Sequence, residues 1–116
     1  MKSGRYIPDR GDLVWIDLDP TRGHEQGGRR PAIVLSAQFY NARSKLLVAC
    51  PITSRVKGYT FEVPVPDGLA VEGVVLADHV RTLDWNQRTV SFIEHAPAVL
   101  FEEVTDRVAV LLGFAP

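Results

Sequence analysis

Apolar residues fall in short alternating runs along most of the chain and switch to a helical spacing only near its end. Asp12–Leu18 (DLVWIDL) sets Leu13, Trp15 and Asp17 against Val14, Ile16 and Leu18. It is apolar on nearly both faces, which predicts a central strand. Pro31–Ser36 predicts a second strand and Leu46–Thr53 (LLVACPIT) a third. Pro51 lies near the end of that third strand, where a missing N–H is best tolerated. Between them, Ala37–Ser44 with Ser36 as its cap predicts a short helix. Thr60–Val65, Gly73–Ala77, Val80–Asp84 and Thr89–Ile93 predict further short strands, the middle two separate or joined by a bend. Pro66-Asp67-Gly68 is a turn. Pro97–Leu112 carries Leu100, Val104, Val108 and Leu111 at helical spacing, with Pro97 in the first turn and Gly113 to close it. The fold class expected is mainly β with few helices: a small sheet or barrel of strongly bent antiparallel strands, with one short helix and a C-terminal helix packed on it.

A chain of 116 residues, 46% hydrophobic, fits one domain over 1–116 and one core. It has no apolar run of bilayer length, and MKSGRYIPDRGD lacks the apolar centre of a signal peptide. The single Cys50 cannot form an internal disulfide. A cytoplasmic protein with no membrane partner is the expectation. His24, His79 and His95 are too scattered for a zinc site, and the acids Asp17, Asp19 and Glu25 read as ordinary strand and loop residues rather than a Mg²⁺ site. No metal and no cofactor are expected.

One loop stands apart. GHEQGGRRPAIVLS, Gly23–Ser36, runs glycines, a carboxylate and two arginines into Pro31 and a strand. The glycines make the loop pliable, and Pro31 holds the preceding residue extended. Arg30 is thus expected at the mouth of a strand, fixed at its base, with a mobile loop in front. From Arg22 to Lys57 there are seven basic residues and one acid, so this segment carries +6 in a chain of net charge −1. Folding either gathers that charge on one face or interleaves it with the acids elsewhere. No phosphate-binding glycine signature and no nucleophile elbow occur. If the strands 31–36 and 46–53 are antiparallel neighbours, Arg30 at the start of one lies near Thr53 at the end of the other. A guanidinium fork and a hydroxyl converging there suit the charge that builds on phosphorus when a 2′-hydroxyl attacks the adjacent phosphodiester. A structural Arg and a Thr closing a strand end are the alternative.

Three stretches, YIPDRGDLVWIDLDPTRGHEQGGRRPAIVLS, VACPITSRVKGYTFEV and GVVLADHVRTLDW, resemble the MazF/PemK-like family, the toxin half of bacterial toxin–antitoxin pairs. The combination of GDLVW, EQGGRRP and PIT is what makes the resemblance specific. It implies an SH3-like barrel and a homodimer that cuts single-stranded RNA at short sequences without metal. The products it implies are a 2′,3′-cyclic phosphate and a 5′-hydroxyl. By the same resemblance Arg30 matches an essential arginine and Thr53 an essential threonine. Glu25 and Gln26 match the mobile loop, and Arg29 falls where the family varies. The proton acceptor is left open between Arg30, Glu25 and His24, because a guanidinium gives up its proton only above about pH 12. The basic residues Arg22, Arg29, Arg55 and Lys57 are the expected RNA contacts. A cognate antitoxin with a disordered acidic tail would compete for the same face. Trp15, Phe39, Tyr40 and Trp85 are more large aromatics than a small barrel need bury alone, which favours a homodimer. The rival class is a small barrel that grips RNA or a protein without cutting.

Overall fold

The computed structural model describes residues 5–19 and 23–114. Seven strands form the sheet: β1 (Asp12–Asp17), β2 (Arg29–Val34), β3 (Leu46–Thr53), β4 (Glu62–Pro64), β5 (Val74–Leu76), β6 (Arg81–Asp84) and β7 (Val90–His95). Two α-helices accompany them, α1 (Gln38–Ser44) and α2 (Ala98–Leu111). The strand order is β4-β5-β3-β2-β1-β7, with β6 also paired to β3. Every pairing is antiparallel. On one edge β3 meets β2. On the other it meets β6 along Leu46–Ala49 and β5 along Ile52 and Thr53. The 3-10 turn Ala77–His79 joins β5 to β6 at the level of Cys50. This change of partner along β3 bends the sheet, and β4 and β7 remain its edges. Among the described residues no helix is long and apolar enough to cross a membrane.

The bent sheet is apolar on both faces, as the pattern of β1 predicts. Leu13, Ile33, Cys50 and Ile52 pack under Leu100, Phe101 and Val104 of α2. Val14, Ile16, Ala32, Val34, Leu47 and Leu83 form the second core with Trp85. Each fully buried Leu, Ile or Val contributes about 1.5–3 kcal/mol relative to exposure. Burial, and then the nearby Asp78 charge, push the Cys50 thiol up to about 12, so it stays protonated inside the first core.

Several expectations shift. β2 starts two residues before Pro31, so Arg30 lies within the strand rather than at its mouth. β4 is shorter than Thr60–Val65, and β7 extends to His95. Ser36 does not cap α1. Ala37 occupies the cap position, and the Gln38 N–H donates instead to Asp9 Oδ1 at 2.9 Å. The Ser36 hydroxyl is used by Asn41 Oδ1 and by the Val48 N–H. In α2, Phe101 turns inward and Leu111 is exposed. Trp85 is buried within the chain, its Nε1 donating to the Asn41 carbonyl at 3.0 Å. Trp15 at 40% and Phe39 at 74% exposure are not covered by the chain.

Two residues hold this arrangement at single points. Asn41 is fully buried, and its Nδ2 donates to the carbonyls of Pro8 (2.8 Å) and Ser36 (3.1 Å), so the N-terminal arm, the end of β2 and α1 share one amide. Gly73 has φ +114°, and a Cβ built there would lie 2.1 Å from the Thr53 carbonyl oxygen. Asn41→Ala strands two carbonyls and a hydroxyl, and a loss of about 2–3 kcal/mol is expected in urea unfolding. Gly73→Ala should cost on the order of 3 kcal/mol or more, from strain plus a clash with backbone. Gly68→Ala, at φ +93° with open space around it, isolates the strain alone and should cost only about 1–2 kcal/mol. Equal losses at the two glycines would show that the clash is relieved without cost.

Candidate active site

The β2–β3 register pairs Ala32 with Pro51, Ile33 with Cys50 and Val34 with Ala49. Carried two residues further, the same register sets Arg30 across from Thr53. Pro31 and Pro51 have no N–H to give, and the ladder stops at the Ala32–Pro51 pair. No β2–β3 pairing continues beyond that pair, and Thr53 pairs on its other edge with Val74 of β5. Arg30 is half-buried, and its Nε donates to the Gly27 carbonyl at 2.9 Å. That bond fixes the guanidinium edge and leaves its terminal nitrogens without a hydrogen bond to any described residue. Thr53 is 5% exposed, and its Oγ1 accepts the Arg55 N–H at 3.1 Å. Its hydroxyl proton is available to a ligand, since the oxygen acts there only as acceptor.

Two cavities lie at this end of β3, one of them lined by Thr53 and neither by Arg30. One, of about 320 Å³, is lined by Thr53, Arg55, Lys57, Tyr59, Glu62 and Leu76, and by His24, Gln26 and His79. The other, of about 280 Å³, shares His24, Gln26 and His79 and adds Glu25, Pro51, Asp78, Val80 and Arg81. Gln26 Oε1 and Arg81 Nη1 are buried without a hydrogen-bond partner. Unsatisfied polar atoms of this kind are costly and suit a polar ligand. The loop that carries Arg55 and Lys57 is shaped from below by Glu62. Its buried carboxylate accepts the N–H groups of Lys57 (2.9 Å) and Gly58 (2.7 Å). The Tyr59 hydroxyl donates to Asp78 Oδ1 at 2.9 Å, and desolvation, then that bond, push it up to about 12.

Of the residues expected from the sequence, Thr53, Arg55 and Lys57 line one cavity, Glu25 lines the other, His24 and Gln26 line both, and Arg30 lines neither. Arg29 does not join them. Neighbours on a strand face opposite ways, and Arg29 donates to the Thr89 carbonyl and to Ser91 Oγ, both at 3.2 Å, over the Trp15 ring. Arg22 lies outside the described residues. The basic charge is accordingly divided rather than gathered on one face. Arg43 and Lys45 belong to α1 and its end and line neither cavity. His79, Arg81, Glu62, Asp78 and Tyr59 were not legible as site residues, because nothing local marks them; the bend between β5 and β6 brings Asp78, His79 and Arg81 to the cavities, and the start of β4 brings Tyr59 and Glu62. Among the described residues no group of three or more His, Cys, Asp or Glu side chains is placed to hold a metal ion.

The sequence matches the family described as PemK-like, MazF-like toxin of type II toxin-antitoxin system over residues 9–112. It is 50% identical over 84 residues to the endoribonuclease toxin MazF of Escherichia coli K12, covering 72% of this chain and 75% of that protein. The fold superposes on the crystal structure of MazF from Deinococcus radiodurans with a TM-score of 0.91 and 54% identity, over 94% of this chain and 99% of that one. MazF in a MazE–MazF crystal structure from the same organism aligns with a TM-score of 0.84 and 48% identity, over 96% and 100% of the two chains. The chain belongs to the PemK-like, MazF-like toxin family of type II toxin–antitoxin systems.

Proposed function

We propose that this protein is an endoribonuclease toxin that cuts single-stranded RNA without a metal ion, by attack of a 2′-hydroxyl on the adjacent phosphodiester. The observation that supports the reading is the β2–β3 register, which, carried two residues past its last pair, would bring Arg30 opposite Thr53. Arg30 binds the phosphate in a fork of N–H groups, and Thr53 donates to the oxygen on which charge develops. Arg55 and Lys57 neutralise flanking phosphates. The buried, unpaired Gln26 Oε1 and Arg81 Nη1 suit the edge of an unstacked base, which single strands present and duplexes hide. The products are a 2′,3′-cyclic phosphate and a 5′-hydroxyl. The relatives' names and the MazE–MazF complex support an antitoxin partner. An acidic segment of it meets Arg55 and Lys57, and so competes with RNA. Exposed Trp15 and Phe39 support a homodimer that covers them.

A non-cleaving binding module would keep the cations but need no Thr53 hydroxyl. The purified protein should cut a single-stranded RNA pool in EDTA and leave duplex RNA intact, as read on a gel. Arg30→Ala and Thr53→Ala should each slow cleavage roughly 10²-fold or more. A strict Mg²⁺ requirement, or near-normal rates in both variants, would move the chemistry to another site or another mechanism.

A further inference from the structure

Arg30 is fixed at its base by β2, but a run of rotatable bonds separates that base from the guanidinium. The Nε–H bond to the Gly27 carbonyl, 2.9 Å long, is what turns the fork. The direction of the terminal nitrogens therefore depends on where Gly27 lies, and Gly27 belongs to the glycine loop rather than to the sheet. Two contacts hold the end of that loop. The Gly28 N–H donates to Asp19 Oδ1 at 3.0 Å, and the Leu18 N–H donates to the Gly28 carbonyl at 2.9 Å. The first of these is only as well placed as Asp19, which is exposed and lies beyond the end of β1.

Arg88 holds Asp19 in place. It follows the 3-10 turn Trp85–Gln87 and is half-buried. Its three guanidinium nitrogens all donate to backbone carbonyls: Nε to Asp17 at 2.9 Å, Nη1 to Asp84 at 3.0 Å and Nη2 to Asp19 at 3.3 Å. Among the described residues it pairs with no carboxylate. A permanent charge set against carbonyl dipoles makes strong, directional bonds and commits the planar fork to one geometry. The end of β6, at Asp84, is thereby tied to the end of β1 and to the loop that leaves it. Asp17 adds a bond of its own, its Oδ1 accepting the Asp19 N–H at 3.0 Å. The N–H and carbonyl of Asp19 are thus both engaged, and its carboxylate takes the Gly28 N–H.

We propose that Arg88 and Asp19 form a positioning relay for Arg30, running from the Arg88 guanidinium through Asp19 and Gly28 to the Gly27 carbonyl. This rests on the ribonuclease reading above, in which Arg30 grips the phosphate. The part played is indirect, since Arg88 and Asp19 line neither cavity at the end of β3. They hold the Gly27 carbonyl where it turns the Arg30 fork towards the ligand. A lysine at 88 keeps the charge but offers a single ammonium, which does not meet three carbonyls drawn from separate segments. An asparagine at 19 keeps the acceptor that Gly28 needs, because the relay uses the hydrogen bond of Asp19 and not its charge.

The test is single-turnover cleavage of a single-stranded RNA pool in EDTA by the native chain, Arg88→Lys, Asp19→Ala and Asp19→Asn, each made again in the Arg30→Ala chain. Arg88→Lys and Asp19→Ala should each slow the native chain roughly 10- to 10²-fold, the scale of a misplaced catalytic group. Asp19→Asn should keep the native rate to within about twofold. In the Arg30→Ala chain the two damaging substitutions should cost less than about twofold more, because the group they position is gone. A separate readout is the Arg30 Nε–H signal in ¹H–¹⁵N spectra. It should exchange slowly in the native chain and in Asp19→Asn, and quickly in Arg88→Lys and Asp19→Ala. The Trp85 indole N–H, buried on the Asn41 carbonyl, reports that the core stays folded. If Arg88→Lys loses that indole signal, Asp19→Ala, at an exposed position, carries the test. Equal losses in both backgrounds would make the two residues merely structural and overturn the relay. Native rates with a protected Arg30 Nε–H in both damaging variants would overturn it too, and the ribonuclease reading would stand. Where Arg30→Ala leaves no measurable rate, the Nε–H signal decides. If the native chain cuts no RNA, or Arg30→Ala cuts as fast as it does, both readings fall.

Discussion

The register between β2 and β3 is the constraint on which everything at the site depends. Ala32–Pro51, Ile33–Cys50 and Val34–Ala49 are three consecutive pairs, and the two neighbouring faces of this short ladder are packed into different cores. A slip of β2 by one residue would send Ile33 out of the core beneath α2 and its neighbours Ala32 or Val34 into it, so the register is strongly specified. The alignment proposed for Arg30 and Thr53 is the continuation of that register. The two prolines then end the ladder at the point where the functional ends begin. Hydrophobic burial thus sets a polar geometry several residues away, and the backbone opens where a ligand must enter.

Behind Thr53 the same logic continues on the other edge of β3. Thr53 pairs with Val74, and Gly73 approaches its carbonyl more closely than any side chain allows. A glycine is needed there both for φ +114° and for the space, so the β4–β5 hairpin and Thr53 cannot move apart independently. Glu62, on the same hairpin, fixes the loop carrying Arg55 and Lys57 through two backbone N–H groups. A buried carboxylate is expensive unless fully hydrogen-bonded, and here the bonds that satisfy it also shape the cationic loop.

Much of this was legible in the sequence, and what was not has a physical cause. β1 and β3 were legible nearly to the residue, because an unbroken apolar alternation has one reading. The start of β2 was placed late, since Pro31 looks like a strand boundary although its missing N–H falls where the ladder stops anyway. The Ser36 cap failed because a carboxylate distant in sequence, Asp9, reaches the helix first. Pairing logic alone set Arg30 beside Thr53. The motif resemblance supplied Gln26 and Glu25, and the charge count supplied Arg55 and Lys57. Charge counting also ignores the alternation that turns Arg29 towards Ser91 and away from both cavities. His79 and Arg81 carry no local signal at all. They reach the site through a change of partner strand along β3, which is a tertiary fact.

One side-chain bond joins β2 to the glycine loop. Arg30 belongs to β2, yet its Nε donates to the Gly27 carbonyl of the Gly23–Gly28 segment. Gly23 and Gly28 both have positive φ, so the segment turns where other residues would be strained. The Gly28 N–H is held in turn by Asp19 Oδ1 at 3.0 Å, and the Leu18 N–H donates to the Gly28 carbonyl at 2.9 Å. The base of the loop is thereby stitched to the end of β1, while His24, Glu25 and Gln26 ride above it. Any displacement of the loop that breaks the Gly27 bond also releases the guanidinium. Conversely, a ligand that grips the terminal nitrogens of Arg30 and touches Gln26 tightens both sides of that bond at once. Loop position and arginine orientation are thus one variable, and a partner that moves the loop acts on the phosphate-binding group without needing to touch it.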